Sequence, residues 1–225
     1  MELAIDTSTD FAGIALSSEG DVITELTWHS PQNHTVELVP NIDRMLKQSN
    51  INPESLNAVF VAKGPGSFNG LRVAMSTAKG LAFSLNIPLI AISTLEVEAY
   101  PFAFTRLLLC PIQSAGRGEL AAAFYRRDDE WRCLKEAHIT TVDGLCRSIE
   151  ETTVFCGEIP EQVAAQLRDV LGNKAVLPAK EVLLRRAGFL ATLGWQRLKR
   201  GERDNPACLQ PTYLRQPPIT QRKVR

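Results

Sequence analysis

The stretch Gly64-Pro65-Gly66-Ser67-Phe68-Asn69-Gly70-Leu71-Arg72 does most to limit what this chain can become. Ahead of it, Ala58-Val59-Phe60-Val61-Ala62 is a short apolar run rich in β-branched and aromatic side chains, the composition of a strand covered on both faces. Behind it, Leu71, Ala74, Ala78, Leu81, Ala82 and Leu85 recur at helical spacing until Asn86 and Pro88 stop the pattern. A buried strand that turns straight into a long helix, here over residues 69–86, is the connection of an α/β fold. Two readings of the turn compete. Free N–H groups and the positive end of the helix dipole would suit a phosphate or carboxylate, with Ser67 or Asn69 as helix cap. Alternatively, the turn is a plain strand-to-helix connection whose glycines serve only packing. The turn is not a Walker A loop, because Leu71-Arg72 follows Gly70 where that motif needs Lys-Ser/Thr.

The helix over 69–86 also carries a row of small side chains, Val73, Thr77, Gly80 and Ser84, and only two charged residues, Arg72 and Lys79. A helix with so little charge is expected to be buried on two sides, one against a sheet and one against another helix. Residues 34–49 predict a second such helix, with Val36, Leu38, Val39, Ile42, Met45 and Leu46 spread over a wide apolar arc. Pro40 removes one backbone donor there and is expected to bend the helix or shift its start. His34 opens this helix with no His or Cys at ligand spacing, so it reads as a capping or surface residue and no metal site is expected.

Before these helices, Leu3-Ala4-Ile5, Ala12 to Leu16 and Val22 to Leu26 predict a three-strand meander. Asp6-Thr7-Ser8-Thr9, at the end of the first strand, offers a carboxylate and hydroxyls to a metal-bound phosphate, or else an Asx turn that bonds its own backbone. A strand at Leu89 to Ile92 and a capping arrangement at Ser93-Thr94-Leu95-Glu96 complete a first α/β lobe over residues 1–102. The order partly repeats over 103–200: strands at 107–112, 120–125 and 131–137, helices near 141–149 and 160–171 around a strand at 153–156, and a long helix from Ala179 to about Lys199. The proline-rich tail, 201–225, is expected to lie extended or fray, with the basic end Gln221-Arg222-Lys223-Val224-Arg225 solvated.

Composition bounds the chemistry. Lys plus Arg equals Asp plus Glu, at 25 each, which argues against a chain that grips nucleic acid alone through a large basic face. Five scattered cysteines without a Cys-x-x-Cys pair fit reduced thiols, and no apolar run reaches spanning length or makes a leader; the expected location is cytoplasmic.

Two lobes that each open on a meander resemble the duplicated actin-like ATPase fold of sugar kinases, actin and heat-shock chaperones. That resemblance implies a nucleotide between the lobes, touched by the first hairpin of each. The second hairpin falls near Gln113 to Glu119, where the acid expected at the start of the turn is missing.

Met1 to Leu16, His34 to Leu46, Gly64 to Leu85, Ile92-Ser93-Thr94-Leu95, Gly118-Glu119 and Pro211-Thr212-Tyr213-Leu214-Arg215 together resemble the bacterial TsaB family of tRNA threonylcarbamoyladenosine biosynthesis proteins. The family usually has Thr where this chain has Asn69. It often reads Asp-Ala-Arg-x-Gly-Glu where this chain reads Ser114-Ala115-Gly116-Arg117-Gly118-Glu119, so the roles of that Asp and Arg do not carry over unless Arg117 substitutes from one position along.

The resemblance implies a non-catalytic subunit, not an enzyme. It would pair with its paralogue TsaD, which transfers threonylcarbamoyl to N6 of the adenosine beside the anticodon and carries a His-x-x-x-His metal pair that this chain lacks. The small ATPase TsaE would join, and tRNA would be met through the complex. The expected partner surface is His34, Leu38, Ile42, Met45, Val73, Thr77 and Gly80, which would also support a homodimer of the free chain. ATP or ADP with magnesium is expected only at the heterodimer interface, at a degenerate site of Asp6, Thr7, Ser8, Gly64, Gly66, Ser67 and Arg72. The alternative is an independent ATPase or kinase of the same fold that uses Asp6.

Overall fold

Residues 2–29 fold as the expected meander, β1 (Glu2–Asp6), β2 (Phe11–Ser18) and β3 (Asp21–His29). The computed structural model describes residues 1–179, 183 and 185–215. Helix α1 (His34–Gln48), β4 (Ala58–Ala62), α2 (Phe68–Leu85), β5 (Leu89–Ile92) and α3 (Thr94–Ala99) follow. The second half adds β6 (Leu108–Gly116), β7 (Glu119–Arg127), β8 (Trp131–Thr140), α4 (Val142–Arg147), β9 (Thr153–Gly157), α5 (Glu161–Leu171), the two-residue β10 (Ala175–Val176) and α6 (Ala187–Lys199). The first sheet runs β3-β2-β1-β4-β5 and the second β8-β7-β6-β9-β10. In both, the first three strands are antiparallel, and the first strand then pairs in parallel with the fourth, which pairs in parallel with the fifth. The duplication expected from the sequence is therefore complete at the level of topology.

Side-chain alternation decides what lies on each face of the first sheet. Leu3, Ile5, Ile14, Leu16, Val59 and Val61 point to one side, where Leu38, Ile42 and Met45 of α1 and Ala74, Met75 and Ala78 of α2 cover them. Ala4, Ala15, Ala58, Ala62 and Phe60 point to the other, a shallower surface that takes Ala187, Leu190, Ala191 and Leu193 of α6. Gly194 lets that helix lie directly on the Phe60 ring, which an added β-carbon would overlap. The second sheet has α4 and α5 on one face, over Cys110, Ile112, Phe124 and Phe155, and α3 on the other, where Leu95 and Ala99 meet Leu109, Tyr125 and Val154.

Two helices pack across the expected boundary between residues 102 and 103. Helix α3, reckoned with the first lobe, covers the second sheet, and α6, reckoned with the second lobe, covers the first. Each sheet needs an apolar cover on both faces, and the chain supplies the second cover from across the boundary. The long helix expected from Ala179 is also shorter: α6 begins at Ala187 after an extended Arg186, and residues 180–182 and 184 lie outside the described residues. Arg186 leaves the helical path to pair with Glu25 of β3.

The tail is tied down as far as residue 215. Asp204 bridges to Leu89, and its carboxylate accepts the Ala91 N–H at 2.8 Å. Lys79 donates to the Leu209 carbonyl at 2.5 Å, and the Thr212 N–H donates to the Lys63 carbonyl at 2.6 Å. The basic end at 221–225 lies outside the described residues. Ser93 occupies the N-cap position of α3, but its hydroxyl makes no capping bond, and Glu96 pairs with Arg197 of α6 and accepts from Trp131 instead of closing a capping box. Pro40 sits on the exposed side of α1, with the helix start unshifted at His34.

Candidate functional site

The two motifs singled out in the sequence meet in space. The Ser67 N–H donates to the Ser8 carbonyl at 2.6 Å, and the Thr7 hydroxyl donates to the Gly70 carbonyl at 2.7 Å. Side chains at Gly66 and Gly70 would collide with the Ser8 and Thr7 carbonyls respectively. Of the two readings of the glycine turn, close approach to another backbone accounts for these two glycines. Ser67 caps α2 by accepting the Gly70 N–H at 3.4 Å, a long bond, and Gly64 stands at φ +104° beside Leu71 and the Thr212 carbonyl.

The first hairpin is internally satisfied. Asp6 Oδ1 accepts both the N–H and the hydroxyl of Ser8, at 2.9 and 2.6 Å, the local turn chemistry of an Asx motif. Asp6 Oδ2 accepts from Arg185 Nε at 2.5 Å. The same guanidinium reaches Thr9 Oγ1 at 2.8 Å and Glu98 Oε1 at 2.9 Å. All three charged side chains are buried, Arg185 at 6%, Asp6 at 3% and Glu98 at 2% exposure. Gln113, within β6 just past its last pair with β9, donates to Glu98 Oε1 at 2.9 Å and so joins the second sheet to the cluster.

Burial pushes the Glu98 carboxyl up to about 7, and the adjacent Arg185 charge only partly offsets this. The two carboxylates hold Arg185 firmly protonated against its own desolvation. A magnesium-bound phosphate at this hairpin would have to displace a buried, three-point-bonded arginine. Asp6, Thr7 and Ser8 therefore do not fit the group that the fold implies.

Arg72 lies elsewhere, over the Phe68 ring at 3.7 Å, with its Nε donating to the Tyr213 hydroxyl at 3.3 Å. Phe68 and Tyr213 edge a cleft of about 740 Å³ between the glycine turn, the β6–β7 hairpin and the tail, lined also by Gly66, Gln113 and Arg117. Arg215 pairs with Glu119 across it.

The expected partner residues divide. Leu38, Ile42 and Met45 are core side chains at 0%, 5% and 4% exposure, and His34 is buried at 5% against Gly70, so none of the four is free to meet a partner. Val73 and Thr77 are half-buried, and the space over Gly80 is open to 4 Å. The exposed apolar residues of this helix layer are Val36 (69%) and Val39 (56%) on α1 and Phe83 (86%) on α2. The second face of α2, expected to meet another helix, is not covered around Gly80 and Phe83, which face outward. Periodicity located the apolar arcs, but not which part of each arc the sheet takes.

Sequence reasoning missed Arg185 and Glu98 altogether. Both lie in apolar-periodic segments that read as helix, with no local signal that two charges 87 positions apart converge.

A duplicated β3-β2-β1-β4-β5 lobe with a hairpin at the cleft defines an actin-like ATPase fold. The activator of 2-hydroxyisocaproyl-CoA dehydratase from Clostridium difficile, solved with bound ADPNP, shares it with TM-score 0.52 at 11% identity over 89% of this chain and 96% of that one. YeaZ from Pseudomonas aeruginosa superposes with TM-score 0.79 at 24% identity over 95% and 99% of the two chains. The family model for TsaD, tRNA N6-adenosine threonylcarbamoyltransferase, matches residues 28–219. The tRNA threonylcarbamoyladenosine biosynthesis protein TsaB of Bacillus subtilis is 33% identical over 217 residues, 95% of this chain and 93% of that relative. The chain belongs to the TsaB family of tRNA threonylcarbamoyladenosine biosynthesis proteins, within the wider TsaD family. No helix among the described residues is long and apolar enough to cross a membrane.

Proposed function

We propose that this chain is the non-catalytic subunit that heterodimerises with TsaD and supports its transfer of threonylcarbamoyl to N6 of the tRNA adenosine next to the anticodon. The observation that carries the reading is the outer face of the α1–α2 layer. Val36, Val39 and Phe83 stay uncovered on two helices whose other sides are packed into the core. Exposed apolar residues on a helix pair suit another pair of helices, and a paralogue of the same fold has them to offer. Membership of the family supports the choice of partner. The filled first hairpin supports the absence of independent ATP hydrolysis.

TsaE and tRNA then belong to the assembled complex, and the free chain pairs with itself through the same face. ATP or ADP with magnesium is assigned only to the joint surface, with Gly64, Gly66, Ser67 and Arg72 on this side and Asp6, Thr7 and Ser8 left out. The test is reconstitution with TsaD, TsaE and tRNA, scoring modified adenosine. Val39→Asp and Phe83→Asp chains should fold normally, fail to co-elute with TsaD and fail to support modification. Unimpaired co-elution of the folded double variant would overturn the interface. Magnesium-dependent ATP turnover by the isolated chain, lost in Asp6→Ala, would overturn the non-catalytic reading.

A further inference from the structure

The larger cleft, of about 740 Å³, has the size of a small-ligand site, and the charge on its walls is one-sided. Among the described residues, Arg117 and Arg215 are its charged side chains, and no carboxylate lines it. Arg215 is neutralised by Glu119. Arg117 is exposed and has no ion-pair partner among the described residues. It also holds φ +56°, in a two-residue hairpin turn where glycine or asparagine is the usual occupant. A long cationic side chain kept in that strained conformation points to a use for its charge. The positive end of α2 adds to the field, because Phe68, the first residue of that 18-residue helix, is part of the wall. The cleft therefore favours an anion.

The rest of the lining narrows the ligand. Phe68 and Tyr213 stand with ring centroids 5.1 Å apart and planes tilted by 39°. Arg72, which is not part of the lining, lies over the Phe68 ring at 3.7 Å and donates to the Tyr213 hydroxyl, so the aromatic pair is braced from outside the cleft. Ala121, Ile139 and Leu214 continue the apolar surface. An anion carried beside a planar ring suits such walls, and that is the chemistry of a nucleotide. We propose that this cleft binds one unpaired nucleotide of an RNA strand, its base against Phe68 and Tyr213 and its phosphate at Arg117. A strand is favoured over a free nucleotide by the sequence that follows the wall: after Arg215 come Arg222, Lys223 and Arg225, cations for the neighbouring phosphates. A magnesium triphosphate is the poorer occupant, since no carboxylate lines the walls to help hold the metal. The inference rests on the reading of this chain as part of a tRNA-modifying complex, and adds a contact made by the chain itself.

The test is fluorescence anisotropy of a labelled single-stranded hexariboadenylate titrated with the full-length chain, at about 50 and 200 mM salt. An abasic oligomer of the same length and free AMP serve as controls. Saturable binding of the oligomer is expected, with the abasic control at least about fivefold weaker. Tyr213→Ala should weaken binding about tenfold. Arg117→Asn, at an exposed position whose turn suits asparagine, should weaken it about three- to fivefold and flatten the salt slope by about 0.7. The Val39→Asp/Phe83→Asp chain should keep its RNA affinity, so failure of the TsaD interface and failure of this site are read separately. No saturable binding, equal binding of the abasic oligomer, binding of AMP as tight as that of the oligomer, or affinity unchanged in both cleft variants would overturn the proposal. If Tyr213→Ala does not fold, Arg117→Asn and the abasic control decide the matter.

Discussion

The two lobes share one strand order and differ at the same point in it. In the first sheet the last register pair between parallel neighbours is Ile5 with Val61, and the next residue of β1 is Asp6. In the second sheet the last pair is Ile112 with Gly157, and the next residue of β6 is Gln113. One copy keeps a carboxylate at the cleft, the other carries a neutral amide, and both touch the buried Arg185–Glu98 pair, Asp6 through Arg185 and Gln113 through Glu98. Two facing carboxylates would call for a divalent cation between them; one carboxylate plus an amide and Glu98 is satisfied by a guanidinium. The comparison shows how two copies of one fold can place a carboxylate and an amide at equivalent positions, with one guanidinium and Glu98 satisfying both.

The comparison breaks first at the glycines. Gly70 of the first lobe has no room for a methyl group because the Thr7 carbonyl stands in its place, whereas Gly118, in the hairpin of the second, has open space and only a φ of +74° to strain. Gly70→Ala should cost more than about 4 kcal/mol and leave little folded protein, and Gly118→Ala about 1–2 kcal/mol. Equal midpoints in urea denaturation would show that the glycine turn is not wedged against the first hairpin.

Next comes the arginine. Arg185→Met leaves two buried carboxylates facing each other and should cost roughly 3–5 kcal/mol, while Arg186→Met, which removes an ion pair at a largely exposed arginine, should cost under about 1 kcal/mol. A small loss at both positions, read by thermal melting, would mean that the cluster does not join the lobes.

The pH dependence follows from Glu98. Its native carboxyl titrates at about 7 against an ordinary 4.5, so between these values the native state holds a proton that the unfolded chain has released. Stability from this group is fully present below about pH 4.5, declines as pH rises to 7 and is level above, a loss of at most about 3 kcal/mol. Glu98→Gln should remove that decline, and melting curves of the two proteins from pH 4.5 to 8 that stay parallel would refute it.

Making the hairpins alike is a sharper probe. Gln113→Asp places another carboxylate against Glu98 and should cost about 2 kcal/mol at pH 8, less at pH 5 where Glu98 is protonated. Insensitivity of that cost to pH would argue against a charge effect. The smallest change in stability, within about 0.5 kcal/mol, is expected for Phe83→Asp, whose ring is 86% exposed; its effect should appear in TsaD co-elution instead.

Much of the frame was legible from local pattern. The strand-turn-helix at 58–85, the meander at 2–29 and the acid missing from the second hairpin each follow from periodicity, turn residues or side-chain type, which act over a few residues, although only the register places that position at Gln113. The candidate site was legible only in part. Asp6 and the glycine turn stood out because unusual residues cluster in sequence, while Glu98 and Arg185 sit in ordinary mixed stretches that read as helix. The helices expected to meet a partner do carry exposed apolar residues, Val36, Val39 and Phe83, but the residues expected on α1 are core side chains, because a wide apolar arc does not say which of its edges the sheet will claim.

The sequence by itself determined the element order, the family and the lack of an acid in the second hairpin, since these depend on residue identity and short-range spacing. Tertiary structure decided the exchange of α3 and α6 between the sheets, the closure of the first hairpin by Arg185 and the exposure of Val36, Val39 and Phe83. Those depend on which distant surfaces bury one another, and burial energy is settled by the whole packed chain rather than by any one segment of it.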